Sequence, residues 1–365
     1  MFCVHLRRQY KMKRIAVFSY DLSVGGIQKS LINLLNNIDY DKFDVDLFLF
    51  AKEEFWTVSF PEKLNVKYLE PLSSMFTFLP FDHAMNKPRF DFSDCGEYDL
   101  AIDFNSYQVS CAVAALQIPA KYRVSWIHND VEIKLANEWR YRVLWNAFKG
   151  KFKYFDEFVG VSEALIEPFK KSSGMTDKKY CSICNYINVE EIRQKAQQET
   201  DVELDSRCIN FVAVGHMNHQ KAYDIMLDVF AKACAERDDL RLYIMGDGPE
   251  REALEIQRAS LSLQDKVIFM GYQTNPYSVM NKMDAFISTS RYEGQPLNIM
   301  EAMVIGLPLY CTKNLEKYTD GLQGYEDIVS ALINAKKEPK HPDNLIEYNK
   351  NILNNIARLA EGRPD

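Results

Sequence analysis

Cysteine is scarce in this chain. Its eight cysteines in 365 residues are scattered at Cys3, Cys95, Cys111, Cys181, Cys184, Cys208, Cys234 and Cys311. They are too few and too dispersed for a disulfide scaffold, which fits a reducing cytoplasm. Long apolar runs are missing as well; the longest weakly polar stretch, Val109 to Ala120, is too short to span a bilayer. There is no cationic excess, since 44 Lys and Arg against 51 Asp and Glu leave a net charge of -7. That argues against nucleic-acid binding through overall charge. Residues 1–11, MFCVHLRRQYK, are basic but lack an apolar h-region and a small-residue cleavage site, so they do not read as a secretion signal. Met12 is the expected functional start, with residues 1–11 a disordered leader.

What is present supports packed domains. At 47% hydrophobic and 26% charged, the chain can bury cores and is not disordered. At roughly 150 residues per domain, its length suits about two. Ile15 to Ser19 is a β-branched and aromatic run, followed by Gly25-Gly26. Ile27, Leu31, Leu34, Leu35 and Ile38 then recur at helical spacing before a second strand at Val45 to Phe50. Strand, glycine turn, helix and strand make a βαβ unit, which implies a parallel sheet with right-handed crossovers. Leu100 to Phe104, Val124 to Ile127 and Phe158 to Val161 continue the rhythm. Glu190 to Ser206 is polar and reads as a helix end plus linker. Beyond it, strands are expected at Asn210 to Val214, Leu240 to Met245, Val267 to Met270, Ala285 to Ser288 and Leu307 to Tyr310. Helices are expected at Ala222 to Ala235, Glu250 to Ser260, Pro276 to Lys282 and Pro296 to Val304. The fold class is therefore α/β, with two Rossmann-like doubly wound parallel-sheet domains at residues 12–200 and 207–335. They are expected to face a central cleft, the default ligand site of such sheets. Leu345, Ile352, Leu353, Ile356 and Leu359 form one apolar stripe, so a C-terminal helix at 343–361 should cover one or both lobes.

Three loops at strand ends carry candidate chemistry. Gly25-Gly26 lets the backbone approach a ligand, and the helix after it offers unpaired N–H groups to phosphate. The plain alternative is an ordinary βα turn, because the full G-x-G-x-x-G spacing is lacking. The second domain opens with Gly215-His216-Met217-Asn218-His219-Gln220-Lys221 after its first strand. Lys221 is placed to neutralise a diphosphate as a point charge, and His216 to donate to a phosphate oxygen. For Lys221 alone, a solvated surface lysine is the plain alternative. The most informative stretch is Arg291 to Met303. Gly294 and Pro296 lead into a helix whose first N–H groups, at Gln295, Leu297 and Asn298, point out of its start as an anion site. Glu293 stands just before that site and Glu301 eight residues further on. A carboxylate accepts from vicinal sugar hydroxyls; the alternative is two glutamates that cap and solvate a helix.

Taken in order, these motifs resemble the retaining glycosyltransferase family GT4, whose members have the GT-B fold. Glu293 to Glu301 matches its E-x7-E signature, and Gly246-Asp247-Gly248-Pro249 its G-D-G-P turn. Val214-Gly215 through Lys221 matches its V-G-R-x4-K-G phosphate segment, and Gly25-Gly26-Ile27-Gln28 its G-G-x-E/Q loop. Val161-Ser162-Glu163, Asn185-Tyr186-Ile187 and Val267 to Tyr272 also fall in register. The resemblance implies that Glu293 contacts the transferred sugar and Glu301 the nucleotide ribose. Backbone amides from Gly294 to Asn298 would hold the diphosphate and sugar, Lys221 would bind phosphate, and Gly246 and Tyr272 would belong to the donor side. His128, in Ser125-Trp126-Ile127-His128, matches a catalytic-site histidine near the transferred sugar; read alone it is a satisfied structural residue. Two departures stand out, His216 for an arginine and Ala222 for a glycine, and Thr312 to Gly324 replaces a Glu-rich rim loop.

The resemblance thus implies transfer of a hexose or N-acetylhexosamine from a nucleotide-diphosphate sugar, UDP-sugar favoured, with retention at the anomeric carbon. It implies no metal and no other cofactor, and an acceptor that is a glycan or lipid-linked glycan of a cell-surface polysaccharide. Because His216 grips phosphate less well than arginine, a catalytically degenerate nucleotide-sugar-binding protein is the second reading. A GT-B nucleotide-sugar epimerase is the third.

Other motifs are set aside. Asp44-Val45-Asp46 spells D-x-D, the metal triplet of other glycosyltransferases, but at the start of a predicted strand it reads as surface residues. Cys181-Ser182-Ile183-Cys184 has no second pair and no nearby His, so no zinc or redox site is expected. Residues 139–155 interleave Arg140, Arg142, Lys149, Lys151 and Lys153 with Trp139, Tyr141, Trp145, Phe148, Phe152, Tyr154 and Phe155. The mixture suits an anionic membrane surface, or else a helix packed on the sheet with its lysines solvated. Met75 to Phe81 is an apolar loop that would join that face or line an acceptor groove. The expectation is a cytoplasmic protein, peripheral on the inner face of the plasma membrane, with no nucleic-acid partner.

Overall fold

In the computed structural model, which describes residues 12–23, 25–52, 59–73 and 81–362, the chain forms two units. One runs to Tyr186 and resumes at Lys350; the other is Ile187–Asn349. The expected leader at 1–11 and the apolar loop from Met75 to Pro80 lie outside the described residues.

The first unit is built on a wholly parallel sheet. Its strands are β1 (Lys13–Ser19), β2 (Phe43–Leu49), β3 (Asn65–Tyr68), β4 (Tyr98–Asp103), β5 (Ala120–Ile127), β6 (Glu157–Gly160) and β7 (Lys179–Ser182), in the order β3-β2-β1-β4-β5-β6-β7. Ile15, Val45, Leu100 and Val124 are fully buried, as strands covered on both faces require. The two strands absent from the sequence reading, β3 and β7, are the sheet's edges. Both are four residues long and none of their residues is buried, so they leave no apolar run to detect. The weakly polar stretch at Val109 forms an interior helix, Val109–Gln117, buried from Val109 to Leu116. Its low polarity answers to protein interior, and among the described residues no helix is long and apolar enough to cross a membrane.

Residues 139–155 form the helix Trp139–Phe148 and a 3-10 turn, Lys149–Tyr154. Tyr141, Trp145, Phe148, Phe152 and Phe155 turn inward, with Trp145 5.4 Å from Phe152 and Phe152 4.9 Å from Phe169 between ring centres. Most of the aromatic half of the basic-aromatic segment is therefore core. Lys151 goes in with it, fully buried, its ammonium on the Ser106 carbonyl. Solvated lysines on a packed helix were expected; this one is not. Trp139, Arg140, Arg142 and Val143 remain exposed.

The second unit carries β8 (Ile209–Val214), β9 (Leu240–Met245), β10 (Val267–Gly271), β11 (Ala285–Ser288) and β12 (Leu309–Cys311), all parallel, in the order β10-β9-β8-β11-β12. Helices Tyr223–Glu236, Arg251–Ser260, Pro276–Lys282 and Leu297–Ile305 alternate with them as the spacing predicts. The segment read as a linker is partly structured. Helix Val189–Ala196 packs on helices Pro276–Lys282 and Leu297–Ile305. The amides of Asn281 and Asn275 donate to its carbonyls at Ala196 and Lys195, at 3.0 and 2.9 Å. The division between the units thus falls at Tyr186, ahead of residue 200. The C-terminal helix Ile346–Ala360 buries Ile352, Ile356 and Leu359 along the expected stripe, and the division falls again inside it, after Asn349.

In each sheet the winding reverses once, between β1 and β4 and between β8 and β11. Loops at the carboxyl ends of such a pair diverge and leave a crevice.

Candidate active site

In the second unit, the turns after β8, β9 and β10 are laced together. The Gly215 N–H donates to the Met245 carbonyl at 3.0 Å, and the Gly246 N–H to the Gly271 carbonyl at 2.8 Å. Gly246 has φ 130°, and a Cβ there would collide with the Gly215 carbonyl; one on Gly248 would collide with Met217. The G-D-G-P turn is thus a packing requirement first, joining two strand ends backbone to backbone. Tyr272 follows Gly271 and is exposed.

The loops after β8 and β11 meet over the switch point. The Arg291 N–H donates to the Gln220 carbonyl at 2.9 Å. Its guanidinium donates to the His219 carbonyl at 2.7 Å and forks on the Asp224 carboxylate at 3.0 and 2.5 Å. Glu293, 5% exposed, receives two donors from consecutive residues. Lys221 Nζ lies 2.7 Å from Oε1, and Gln220 Nε2 lies 3.1 Å from Oε2. Lys221 is therefore not a solvated surface lysine. Ala222 adopts φ 54°, ψ 44°, the left-handed region, and is fully buried, its carbonyl accepting from Thr289 Oγ1 at 3.0 Å. A glycine at this position is the strain-free choice. His216 is exposed, and its side chain makes no hydrogen bond among the described residues.

Helix Leu297–Ile305 begins behind Glu293, and no side chain caps it at Pro296. The Ile299 and Met300 N–H groups turn back on the Pro296 carbonyl. Asn298 donates from Nδ2 to the Val214 carbonyl at 2.7 Å and accepts the Ile299 N–H at 3.0 Å, tying the helix start to the end of β8. That leaves the Leu297 and Asn298 N–H groups without an intrahelical acceptor, which makes this start an anion site. Gly294, Gln295 and Pro296 are buried, and the Gln295 amide donates to the Tyr348 hydroxyl at 2.6 Å. Glu301, also 5% exposed, accepts from the Tyr277 hydroxyl at 3.2 Å. Lys221, Glu293 and the start at Leu297 thus share one loop pair, while Glu301 faces a tyrosine from the helix after β10.

In the first unit, Asp21 organises the Gly25-Gly26 turn. Its Oδ1 accepts the Ser23 N–H at 3.2 Å, the Ser23 hydroxyl at 2.8 Å and Gln28 Nε2 at 3.0 Å. A Cβ on Gly25 would meet the far end of the Gln28 side chain, which would have to move from its place on Asp21. His128, past β5, is buried against the Phe104 ring at 4.8 Å, with Nε2 2.8 Å from the Phe104 carbonyl. Burial pushes its pKa down to about 4, against the pull of that hydrogen bond. A neutral ring meets a carbonyl with an N–H, so Nε2 carries the proton and Nδ1 presents a lone pair. Asp103, at the end of β4, accepts from Ser125 Oγ at 3.2 Å while its Oδ1 has no partner. Burial raises its pKa to about 6, opposed by the field of Lys151 and the bond from Ser125.

Sequence reasoning missed Gln220, Arg291, Tyr277, Asp103 and Lys151, whose partners lie far along the chain and form no local motif. It also misjudged the D-x-D triplet. Asp46 is 2% exposed, not a surface residue, and accepts from the Tyr98 hydroxyl and from Lys67 Nζ at 2.7 Å, while Asp44 holds Arg14 Nε at 3.1 Å. Two residues apart on one strand, the two carboxylates share a face and both meet the Arg14 guanidinium, Asp46 at 3.7 Å. Cys181 and Cys184 form no disulfide.

The sequence profile described as Glycosyl transferases group 1 matches residues 209–340. The chain is 24% identical over 307 residues to the N-acetylgalactosamine-N,N'-diacetylbacillosaminyl-diphospho-undecaprenol 4-alpha-N-acetylgalactosaminyltransferase of Campylobacter jejuni, covering 82% of this chain and 81% of that one. It is 27% identical over 131 residues, 34% of each chain, to the lipopolysaccharide 1,6-galactosyltransferase of Escherichia coli. Among solved structures, Anabaena Alr3699/HepE in complex with UDP and glucose is similar with a TM-score of 0.62 and 18% identity, over 97% of this chain and 96% of that one. The two parallel-sheet units are those of the GT-B fold.

Proposed function

We propose that this chain, a GT4-like glycosyltransferase, moves a hexose or N-acetylhexosamine from a nucleotide-diphosphate sugar, UDP-sugar favoured, to a glycan or lipid-linked glycan of a cell-surface polysaccharide, with retention. The observation that carries this reading is the Glu293 carboxylate clasped by Lys221 and Gln220 beside an uncapped helix start over the β8/β11 switch point. The names of the Campylobacter and Escherichia relatives support the sugar and acceptor classes, and the UDP bound to the Anabaena protein supports the donor class.

In this scheme the diphosphate lies on the amides from Gly294 to Asn298 and draws Lys221 Nζ away from Glu293. The released carboxylate accepts hydroxyls of the sugar, and Glu301 accepts those of the ribose. As the anomeric bond breaks, negative charge grows on the leaving diphosphate, where the ammonium and the helix dipole stabilise it without a metal. No side chain is an evident nucleophile. Reaction therefore proceeds on the front face, the leaving phosphate oxygen taking the acceptor proton. His128 offers its neutral Nδ1 to a hydroxyl of the sugar. The exposed Trp139, Arg140, Arg142 and Val143 serve peripheral attachment to an anionic leaflet.

The exposed His216 is the observation that favours the second reading, a donor-binding protein without turnover. Release of nucleotide diphosphate from a panel of UDP- and GDP-sugars separates the two. Slow release from one donor, abolished in Glu293→Gln while UDP still raises the melting point, is expected. Binding without release in the wild type would overturn the enzymatic reading, and epimerised free sugar without acceptor would replace it with an epimerase.

A further inference from the structure

We infer that Tyr348 is a positioning residue for the donor diphosphate, acting through Gln295 on the backbone amides from Gly294 to Asn298; the inference rests on the function proposed above. Tyr348 stands in the first turn of the last helix, Ile346–Ala360, 53 residues along the chain from the loop that it touches. Its hydroxyl accepts from Gln295 Nε2 at 2.6 Å, and Gln295 is 9% exposed.

The chain alone does not fix the direction of these amides. Gly294 carries no Cβ to restrain the bend ahead of the helix. Pro296 has no N–H to anchor, and no side chain caps the helix there. Two side-chain tethers, one on each side of Pro296, stand in for the cap. Asn298 donates to the Val214 carbonyl at 2.7 Å, and Gln295 donates to Tyr348. One tether runs to the end of β8 and the other to the last helix, so the N–H groups of Leu297 and Asn298 are held from two elements. N–H groups already fixed at the anion's place bind it without the cost of ordering them.

Tyr348 is itself firmly placed. Its neighbour Asn349, 8% exposed, pairs both ways with Ile187, accepting the N–H at 3.1 Å and donating to the carbonyl at 2.7 Å. Ahead of it, the His341 and Asp343 N–H groups donate to the Gly306 and Met303 carbonyls at 3.0 and 2.9 Å, at the far end of helix Leu297–Ile305. Arg193 donates to the Asp343 carbonyl at 2.9 Å, and a Cβ on Gly306 would collide with the backbone of His341 and Pro342. The segment from His341 to Asn349 is thus fastened to the end of that helix and, through Tyr348, to its start. The contacts at Gly306, Met303 and Ile187 suffice to fasten the segment. The bond to Gln295 is the one that reaches the anion site.

The full chain and Tyr348→Phe, which loses only the hydroxyl, are titrated with UDP and GDP by calorimetry. For whichever of these the wild type binds, the matching nucleoside is titrated by NMR. The expected result is diphosphate binding weakened about fivefold or more in Tyr348→Phe, with nucleoside binding unchanged. Gln295→Met should show the same selective loss, and the double variant no more than either alone, as the two ends of one bond require. Should Tyr348→Phe not fold, the same comparison on Gln295→Met decides. No loss of diphosphate binding, or an equal loss for diphosphate and nucleoside, makes Tyr348 a fastening of the last helix only and overturns the inference. Losses that add in the double variant overturn it as well. In each of these cases the donor site proposed above stands. A wild type that binds neither diphosphate, or binds the nucleoside as tightly as the diphosphate, removes that donor site and the inference with it.

Discussion

Ala222 holds a backbone conformation that an L-residue enters at a cost of roughly 1–2 kcal/mol. Glycine relieves that strain but returns about 0.4–1 kcal/mol through the freedom it adds to the unfolded chain. Ala222→Gly should therefore raise the melting temperature modestly; a lower one would mean that the buried methyl contributes more than the strain costs. At Glu293 the balance runs the other way. Lys221→Met leaves a carboxylate that is almost fully buried with one neutral donor, at a cost of about 1–3 kcal/mol in urea unfolding. The same variant should lose the melting shift caused by UDP, since the charge that meets the diphosphate is gone. Lys221 and Glu293 are legible in the sequence because each sits just beyond a strand read from its apolar run. Gln220 and Arg291 are not, because nothing near them in the chain announces the carboxylates that they hold.

At the scale of the element, the loop after β4 is bound by two titrating groups with opposite effects. His128 has a folded pKa of about 4 against 6.5, so between those values the unfolded chain binds more protons and stability falls as pH drops. Asp103 has a folded pKa of about 6 against 3.8, so in its window the folded chain binds more protons and stability rises as pH drops. The two slopes oppose each other from about pH 6 to pH 4. Asp103→Asn removes only the second. Relative to the wild type, the stability of Asp103→Asn should fall more steeply on acidification, on the order of 1 kcal/mol per pH unit. Melting curves in matched buffers test this, and parallel profiles would show that burial does not raise the Asp103 pKa. Elements themselves divide by position. Inner strands are legible since both faces are buried, whereas β3 and β7 meet solvent along an edge and carry no apolar pattern.

For the molecule as a whole, a net charge of -7 opposes adhesion to an anionic surface, so attachment must come from a local patch. The core takes Tyr141, Trp145, Phe148, Phe152 and Phe155 out of that patch, and Lys153 is engaged with Asp82 at 2.8 Å. What remains is one exposed tryptophan, one valine, two arginines and the half-exposed Lys149, since the hydroxyl of the exposed Tyr154 donates to Asp82 at 2.6 Å. Co-sedimentation with phosphatidylglycerol-rich vesicles should therefore be weak, strongest at low salt, and reduced by Trp139→Ser. Binding that ignores both salt and Trp139 would locate the contact elsewhere.

Local pattern alone was enough for the alternation of strands and helices, the inner strands of both sheets, the glycine turns at their ends and the apolar stripe of the last helix. These follow from burial and backbone sterics, which act on neighbours in the chain and so leave a periodic trace. The side taken by Val189–Ala196, the inward turn of Lys151 and Asp46, and the clasp of Gln220 and Lys221 on Glu293 came only with folding. A polar group's partner is whichever distant segment the topology delivers, and no residue beside it in the chain records that arrival.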